Sequence, residues 1–298
     1  MRFPNEAAAT VFRVLDKCSS ELSPDGPWRW KCAVQNGTRL PISASFDDGF
    51  LQLACRPGVI RKSADALERA LLGNGALAGG VRLALDGASG ALHLRTDILL
   101  LDETQLLDRF HRALDGFHHG AHLLKSLDSD SCSSPSETRH AAAPGISLAE
   151  LLSETKWTTT ERGPNDYSVE LDAASAPPAT IKLTENGVVA SVELVRSKAT
   201  AETTRQALAV FLLTTSSVLR MARAYAVKTD EQMSFGFQVG LPHAPAAEEI
   251  DDALAALSVA YRNCARETSV LLNDLAARSY LSAREDSTTE DHQPEKEN

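Results

Sequence analysis

Apolar and polar positions along the chain trace nearly the same succession of elements twice. Over residues 7–22, Val11, Leu15, Cys18 and Leu22 recur at helical spacing with Phe12 and Val14 beside them, which predicts a first helix. Pro24, Gly26 and Pro27 break it. The period then falls to two. Trp28, Trp30, Cys32 and Val34 share one strand face, while Arg29 and Lys31 take the other. Asn36-Gly37 signals a hairpin, because both positions tolerate positive φ. Leu40, Ile42, Ala44 and Phe46 form the return strand, and Asp47-Asp48-Gly49 turns the chain into Leu51, Leu53 and Cys55. Ser63 is a candidate N-cap for a short helix carrying Leu67, Leu71 and Leu72, closed by Gly73 and Gly75. Two more alternating strands follow, Val81–Leu85 and Leu92–Ile98, whose second face carries Arg82, His93, Arg95 and Asp97. A helical stripe of Leu107, Phe110, Leu114, Phe117, Ala121 and Leu124 predicts a long helix over 102–127.

The second half repeats the scheme. A short helix at 148–156 precedes a strand at 166–172 with Tyr167, Val169 and Leu171 alternating, and another at 179–184. Asn186-Gly187 turns it into Val188, Ala190, Val192 and Leu194. A helix from about Thr200 carries Ala207, Leu208, Phe211 and Leu212. Residues 216–228 have helical propensity, but the repeat assigns a strand to 221–228. Met233, Phe235, Phe237, Val239 and Leu241 alternate as a strand with Gln232, Ser234, Gly236, Gln238 and Gly240 opposite. A final stripe runs through Ile250, Leu254, Leu257, Tyr261, Cys264, Leu271 and Leu275. Ala66–Leu72 aligns with Ala207–Leu213 at an offset of 141, and Leu107–Leu114 with Ile250–Leu257 at an offset of 143.

Between the halves lies 126–146, SLDSDSCSSPSETRHAAAPGI, rich in Ser, Ala and Pro and poor in large apolar residues. Such a stretch reads as a flexible linker, with a span of roughly 25 Å. The expected fold is α+β: two tandem α-β-β-β-α-β-β-α domains, each an antiparallel sheet packed against helices, paired as an intramolecular pseudo-dimer. The expected division is 1–125, linker 126–146, 147–281, and an acidic disordered tail 282–298.

Composition narrows the function. Hydrophobic content of 43% and mean hydropathy of −0.19 suit a soluble globular chain, and no apolar run approaches membrane-spanning length. The N-terminal 23 residues carry charges inside their apolar stretch, so no signal peptide is expected and the cytoplasm is the expected compartment. The net charge of −10 is uneven: +1 over 1–125, −2 in the linker, −5 over 147–281 and −4 in the tail. No basic stripe marks a nucleic-acid surface. The five cysteines, 18, 32, 55, 132 and 264, include no Cys-x-x-Cys, and free thiols are expected.

The pattern Leu71-Leu72-x-Asn74, Gly80, Leu83-x-Leu85-Asp86, Gly90-x-Leu92-x-Leu94, then a helix with Leu107, Leu114 and Phe117, resembles the class I type III secretion chaperones, the Tir chaperone family. The second half resembles the YbjN-like branch of the same superfamily, through Leu241-Pro242 followed by the Glu249–Leu257 helix; Leu212-Leu213-Thr214-Thr215 stands where the first half has its Asn motif. The resemblance implies small acidic cytoplasmic proteins that dimerise and hold the extended N-terminal segment of a secretion substrate, without cofactor or ATPase activity. One chain holding two copies would carry the dimer within itself and act as a monomer.

The candidate chemistry is sparse. His111, Asp115, His118, His119 and His122 share the long helix, and His118/His122 are spaced to bind Zn²⁺ or Ni²⁺; the expectation is a solvated face and no metal site. Gly73-Asn74-Gly75 through Gly79-Gly80 follows a helix, precedes a strand and lacks Gly-Lys-Ser/Thr, so it reads as a turn rather than a phosphate loop. No Gly-x-Ser-x-Gly or His-Glu-x-x-His occurs, Cys132 sits in the linker, and no catalytic or cofactor-binding residue is assigned. The partner-binding candidates are Arg29, Lys31, Arg82 and Arg95 on the outward face of the first sheet, docking an acidic partner or the acidic tail. Gly236 and Gln238 join them on the last strand of the second, where small residues leave room for a peptide or a domain interface. The expected function is a non-enzymatic module holding an extended client segment; the alternative is a regulatory or sensory interaction module unrelated to secretion.

Overall fold

A computed structural model describes residues 6–36, 38–56, 63–100, 102–128, 147–185, 187–198, 201–229 and 232–290. The first half runs α1 (Glu6–Cys18), β1 (Glu21–Pro24), β2 (Arg29–Asn36), β3 (Thr38–Asp47), β4 (Phe50–Cys55), α2 (Ala64–Asn74), β5 (Arg82–Leu85), β6 (Leu92–Leu99) and α3 (Glu103–Asp128). The second runs α4 (Leu148–Ser153), β7 (Thr159–Gly163), β8 (Asp166–Val169), β9 (Ala179–Thr184), β10 (Gly187–Lys198), α5 (Glu202–Val218), β11 (Arg223–Lys228), β12 (Gln232–Leu241), α6 (Ala247–Leu271) and α7 (Asp274–Glu290). Each half builds one six-stranded antiparallel sheet. The orders are β1-β2-β3-β4-β6-β5 and β7-β8-β9-β10-β12-β11, the same topology twice.

The expected element order holds with one added strand per half. β1 and β7 are short, polar edge strands, Glu-Leu-Ser-Pro and Thr-Thr-Glu-Arg-Gly, exposed along most of their length. They bury no alternating apolar face, so no period-two signal announces them. The first helix ends at Cys18 rather than residue 22, and Leu22 instead pairs with Cys32 across β1 and β2. The turn at Asp48-Gly49 takes positive φ at both residues, +48° and +78°, which suits the right-handed twist of the flanking strands. The 221–228 stretch is strand β11, as the repeat required.

The last apolar stripe does not form one helix. It stops at Leu271, and Asn273 opens α7 by accepting hydrogen bonds from the backbone N–H groups of Leu275 and Ala276 at 3.0 and 3.3 Å. Leu275 is consequently 75% exposed. α7 runs on to Glu290 and packs against α5 and α6, so 282–290 is helix rather than disordered tail; Arg284 Nη1 donates to the Gly87 carbonyl of the first half at 3.4 Å. Helix α3 likewise extends to Asp128. Residues 129–146, which hold most of the linker with Cys132, and 291–298 of the tail lie outside the described residues.

The buried apolar residues of both halves join one continuous core. One close seam is α3 against the first sheet and the turn that leads into β5. A Cβ at Gly116 would meet the Ala78 carbonyl well inside contact distance and Val81 Cγ2 at 2.7 Å. Helix propensity favours Ala over Gly by about 1 kcal/mol, but overpacking costs about 1–3 kcal/mol, and a backbone carbonyl cannot swing aside. Gly116→Ala is therefore expected to lower the urea midpoint; an unchanged or raised midpoint would mean α3 sits further from the sheet.

The halves meet through counterpart elements. Helix α2 packs against α5 and β11, while α5 packs against α2 and β5. This reciprocity is the intramolecular pairing expected of a fused dimer. Among the described residues, no helix is long and apolar enough to cross a membrane.

Candidate functional site

The antiparallel register places the predicted sheet-face residues in adjacent rows. Lys31, Ser43, Ala54, Arg95 and Arg82 are successive partners across β2, β3, β4, β6 and β5, and Arg29, Ser45, Gln52 and Asp97 form the neighbouring row. The two cationic ends of these rows meet different fates. Toward β2 the face stays open as a groove of about 510 Å³, lined by Arg29, Gln52, Arg56, His93, Arg95 and Ser217 among others. Toward β5 the C-terminal turn of α5 closes over it.

In the groove, Arg95 Nη2 donates to Gln52 Oε1 at 3.1 Å and its Nη1 to the Ser217 carbonyl at 2.5 Å, so one arginine joins the floor to the rim. Arg56 holds Asp86 at 3.0 Å and Lys31 holds Asp25 at 2.7 Å, both with substantial exposure. His93 is buried, and that burial together with the nearby Arg56 and Arg95 charges lowers its pKa, against the raising effects of the Ala91 backbone and Asp86. At the end of α5, Val218 follows the lining residue Ser217 and is 75% exposed. The site thus offers the exposed cations Arg29 and Arg56 along an open groove.

Arg82, predicted to be outward-facing and available, is fully buried instead. Its Nε donates to the Ser216 carbonyl at 3.0 Å, and its Nη2 donates to the Leu219 carbonyl at 2.8 Å and to Asp97 Oδ2 at 2.5 Å. Asp97 also accepts the Met221 N–H at 3.0 Å. Burial pushes the Asp97 carboxyl up, but Arg82 and Arg95 outweigh it and hold the pKa below its ordinary value. Arg82 is therefore a cross-half strut and no partner-binding residue: the outward face at β5 is outward only until α5 docks.

The second predicted patch is covered too, Gln238 by the other half and Gly236 by its own. Gln238 Nε2 donates to the Gly75 carbonyl at 3.0 Å. Gly236 is covered by the Tyr225 ring, whose Cε1 would lie 2.9 Å from an added Cβ. Of the two uses foreseen for this face, the domain interface is the one Gln238 serves.

Asn74, the conspicuous residue of the chaperone-like motif, is fully buried at the same seam. Its Nδ2 donates to the carbonyls of Leu83 at 3.2 Å and, across the halves, Ala224 at 2.7 Å, while its Oδ1 accepts the Leu83 N–H at 2.7 Å. In the second half, Ser216 Oγ accepts the Ala224 N–H at 2.8 Å. Ala224 is Leu83 shifted by 141, so Ser216 does half of Asn74's work where the Asn motif is missing.

The groups that could carry chemistry are poorly placed for it. Burial raises the Cys32, Cys55 and Cys264 thiols to about 12, 11 and 12, far from the thiolate form at neutral pH. His111 Nε2 lies 3.5 Å from Cys18 Sγ, and burial lowers the pKa of His118 and His119. Among the described residues, no group of three or more His, Cys, Asp or Glu side chains is arranged to hold a metal ion. Reading the sequence missed Asp97, Arg223 and Glu249 as interface residues. The repeat offset held a signal for Arg223, since 82 plus 141 aligns the two arginines. No protein-family model matches the chain, and a search of curated proteins likewise finds no match.

Proposed function

We propose that this chain is a non-enzymatic protein-binding module, similar to type III secretion chaperones, in which two fused halves present the first sheet's groove to an extended, acidic client segment. The observation that carries the reading is the groove itself, with Arg29, Arg56 and Arg95 along it beside Leu53 and Ala54. An extended segment can lay carboxylates against such arginines while its backbone follows the groove. The outer edges β1 and β7 suit strand addition less well. Both are short and charged, β1 ends in Pro24, and β7 carries a bulge between Glu161 and Gly163, features that discourage pairing with another chain.

The test is capture from the native host with wild-type protein and with the double variant Arg29→Glu/Arg56→Glu. Both positions are exposed, so folding should survive. An unfolded acidic partner held by the wild type, and bound at least about tenfold more weakly by the variant, a loss of about 1.4 kcal/mol, is the expected result. Equal capture by both proteins, or a folded signalling partner bound elsewhere, would overturn it in favour of a regulatory module.

A further inference from the structure

The two halves carry the same buried arginine but not the same counter-charge. Arg82 opens β5 and Arg223 opens β11, 141 residues apart, and each reaches backbone carbonyls of the opposite half. Arg223 Nη1 donates to the Leu77 and Val81 carbonyls, the latter at 2.9 Å, and Nη2 donates to the Gly75 carbonyl at 3.3 Å. Arg82 has Asp97 beside it. The strand registers pair Arg82 with Arg95 and Arg223 with Gln238, so the position matching Asp97 is Gly240. Glycine there supplies no carboxylate, and the guanidinium sits over it: an added Cβ at 240 would lie 3.4 Å from Nη2. Arg223 is only 3% exposed, its Nε has no hydrogen-bond partner, and no carboxylate pairs with it among the described residues. Burial, with Arg82 nearby, lowers its pKa to about 10.

This arginine lines a cavity of about 350 Å³ between the halves. The other charged side chains lining it are already matched. Arg109 pairs with Glu249 at 2.5 Å, Arg112 with Asp108 at 3.0 Å, and Asp97 with Arg82 and Arg95. The rest is largely apolar, including Leu77, Ile98, Val188, Met221 and Leu241. One unmatched positive charge amid apolar walls selects a singly charged anion with an apolar body, since a buried cation left unpaired is costly. The size lies at the lower end of small-molecule pockets.

We propose that the cavity between the halves binds a small apolar monocarboxylate, its carboxylate facing Arg223 where the first half has Asp97. Bound ligand would complete the second copy of the Arg–Asp pair and so tie the two halves together. Client binding in the sheet groove is not required for this.

The test is thermal unfolding of the full chain at pH 7 with octanoate, octanol or inorganic phosphate. Octanoate is expected to raise Tm in a concentration-dependent way, as a ligand of the native state must, while octanol and phosphate do so far less. Gly240→Asp copies the first half's solution onto the second. It is expected to raise Tm without ligand and to weaken octanoate binding at least about tenfold. Should that variant fail to fold, Arg223→Met at matched volume is expected to lose the octanoate response. No shift with octanoate, an equal shift with octanol, or an undiminished response in a folded Gly240→Asp or Arg223→Met protein would overturn the proposal.

Discussion

Asp97→Asn is expected to destabilise the protein by about 3–5 kcal/mol, the usual cost of removing one partner from a buried ion pair. Asparagine keeps the shape and a carbonyl oxygen for the Met221 N–H, so the change isolates the charge. Left behind is Arg82, whose side chain, like that of Asp97, is wholly buried. Its carbonyl partners, Ser216 and Leu219, belong to the other half and give only partial compensation. The pH dependence follows from the direction of the Asp97 shift. Because Arg82 and Arg95 hold the folded pKa below its ordinary value of 3.8, against burial, the stabilisation is fully present above the unfolded value. It is lost as pH falls through the lower, folded value. Wild type should therefore show a steep acid limb in urea midpoint below about pH 4, flatter in Asp97→Asn. A loss under about 1 kcal/mol at pH 7, or parallel acid limbs, would mean that the strut is solvated.

Asn74→Ala is the second large effect, about 2–4 kcal/mol. The substitution strands the buried Leu83 N–H and removes the donor to two carbonyls, one in each half, and each unsatisfied buried group costs about 1–3 kcal/mol. Asn74→Asp tests the mechanism. It restores the acceptor for Leu83 but not the donor for Ala224, and it buries a charge, so it should rescue little. Amide exchange at Leu83 is the direct readout. Protection retained in Asn74→Ala would show that the strand edge is held by something else.

Much of the fold was legible from periodicity. Alternation at 28–34, 40–46, 51–55, 92–98 and 233–241 each corresponds to a strand, because apolar side chains at every second position face the core, even where, as at Gln238, the other face is buried too. Where no such apolar face exists, the reading failed too. Glu21–Pro24 and Thr159–Gly163 are edge strands held by backbone hydrogen bonds to a single neighbour, and backbone bonding leaves no mark on side-chain polarity. The break at 272–273 depends on Asn273 capping the following helix, a local bond that outweighs the continuing apolar stripe.

Of the candidate site, residue identity was readable but exposure was not. Arg29, Arg82 and Arg95 alternate with apolar neighbours and therefore share the face away from the inner core. Whether that face meets solvent depends on what docks there, and the docking helix α5 comes from more than a hundred residues further along. The same applies to Asn74, which looked like a turn residue because its acceptor at Ala224 is 150 positions away.

Two copies of one α+β unit, their strand faces and the 141–143 residue offset are written in the order of residues alone, because core burial imposes its period locally on each apolar-faced element. That α2 and α5 cross to the opposite half emerges only when the chain is folded. That crossing turned Arg82 from a surface cation into a buried strut and left Arg223 without an acid above Gly240. The reason is physical: a charged side chain takes its role from the dielectric and the partners around it, and here both come from the other end of the chain.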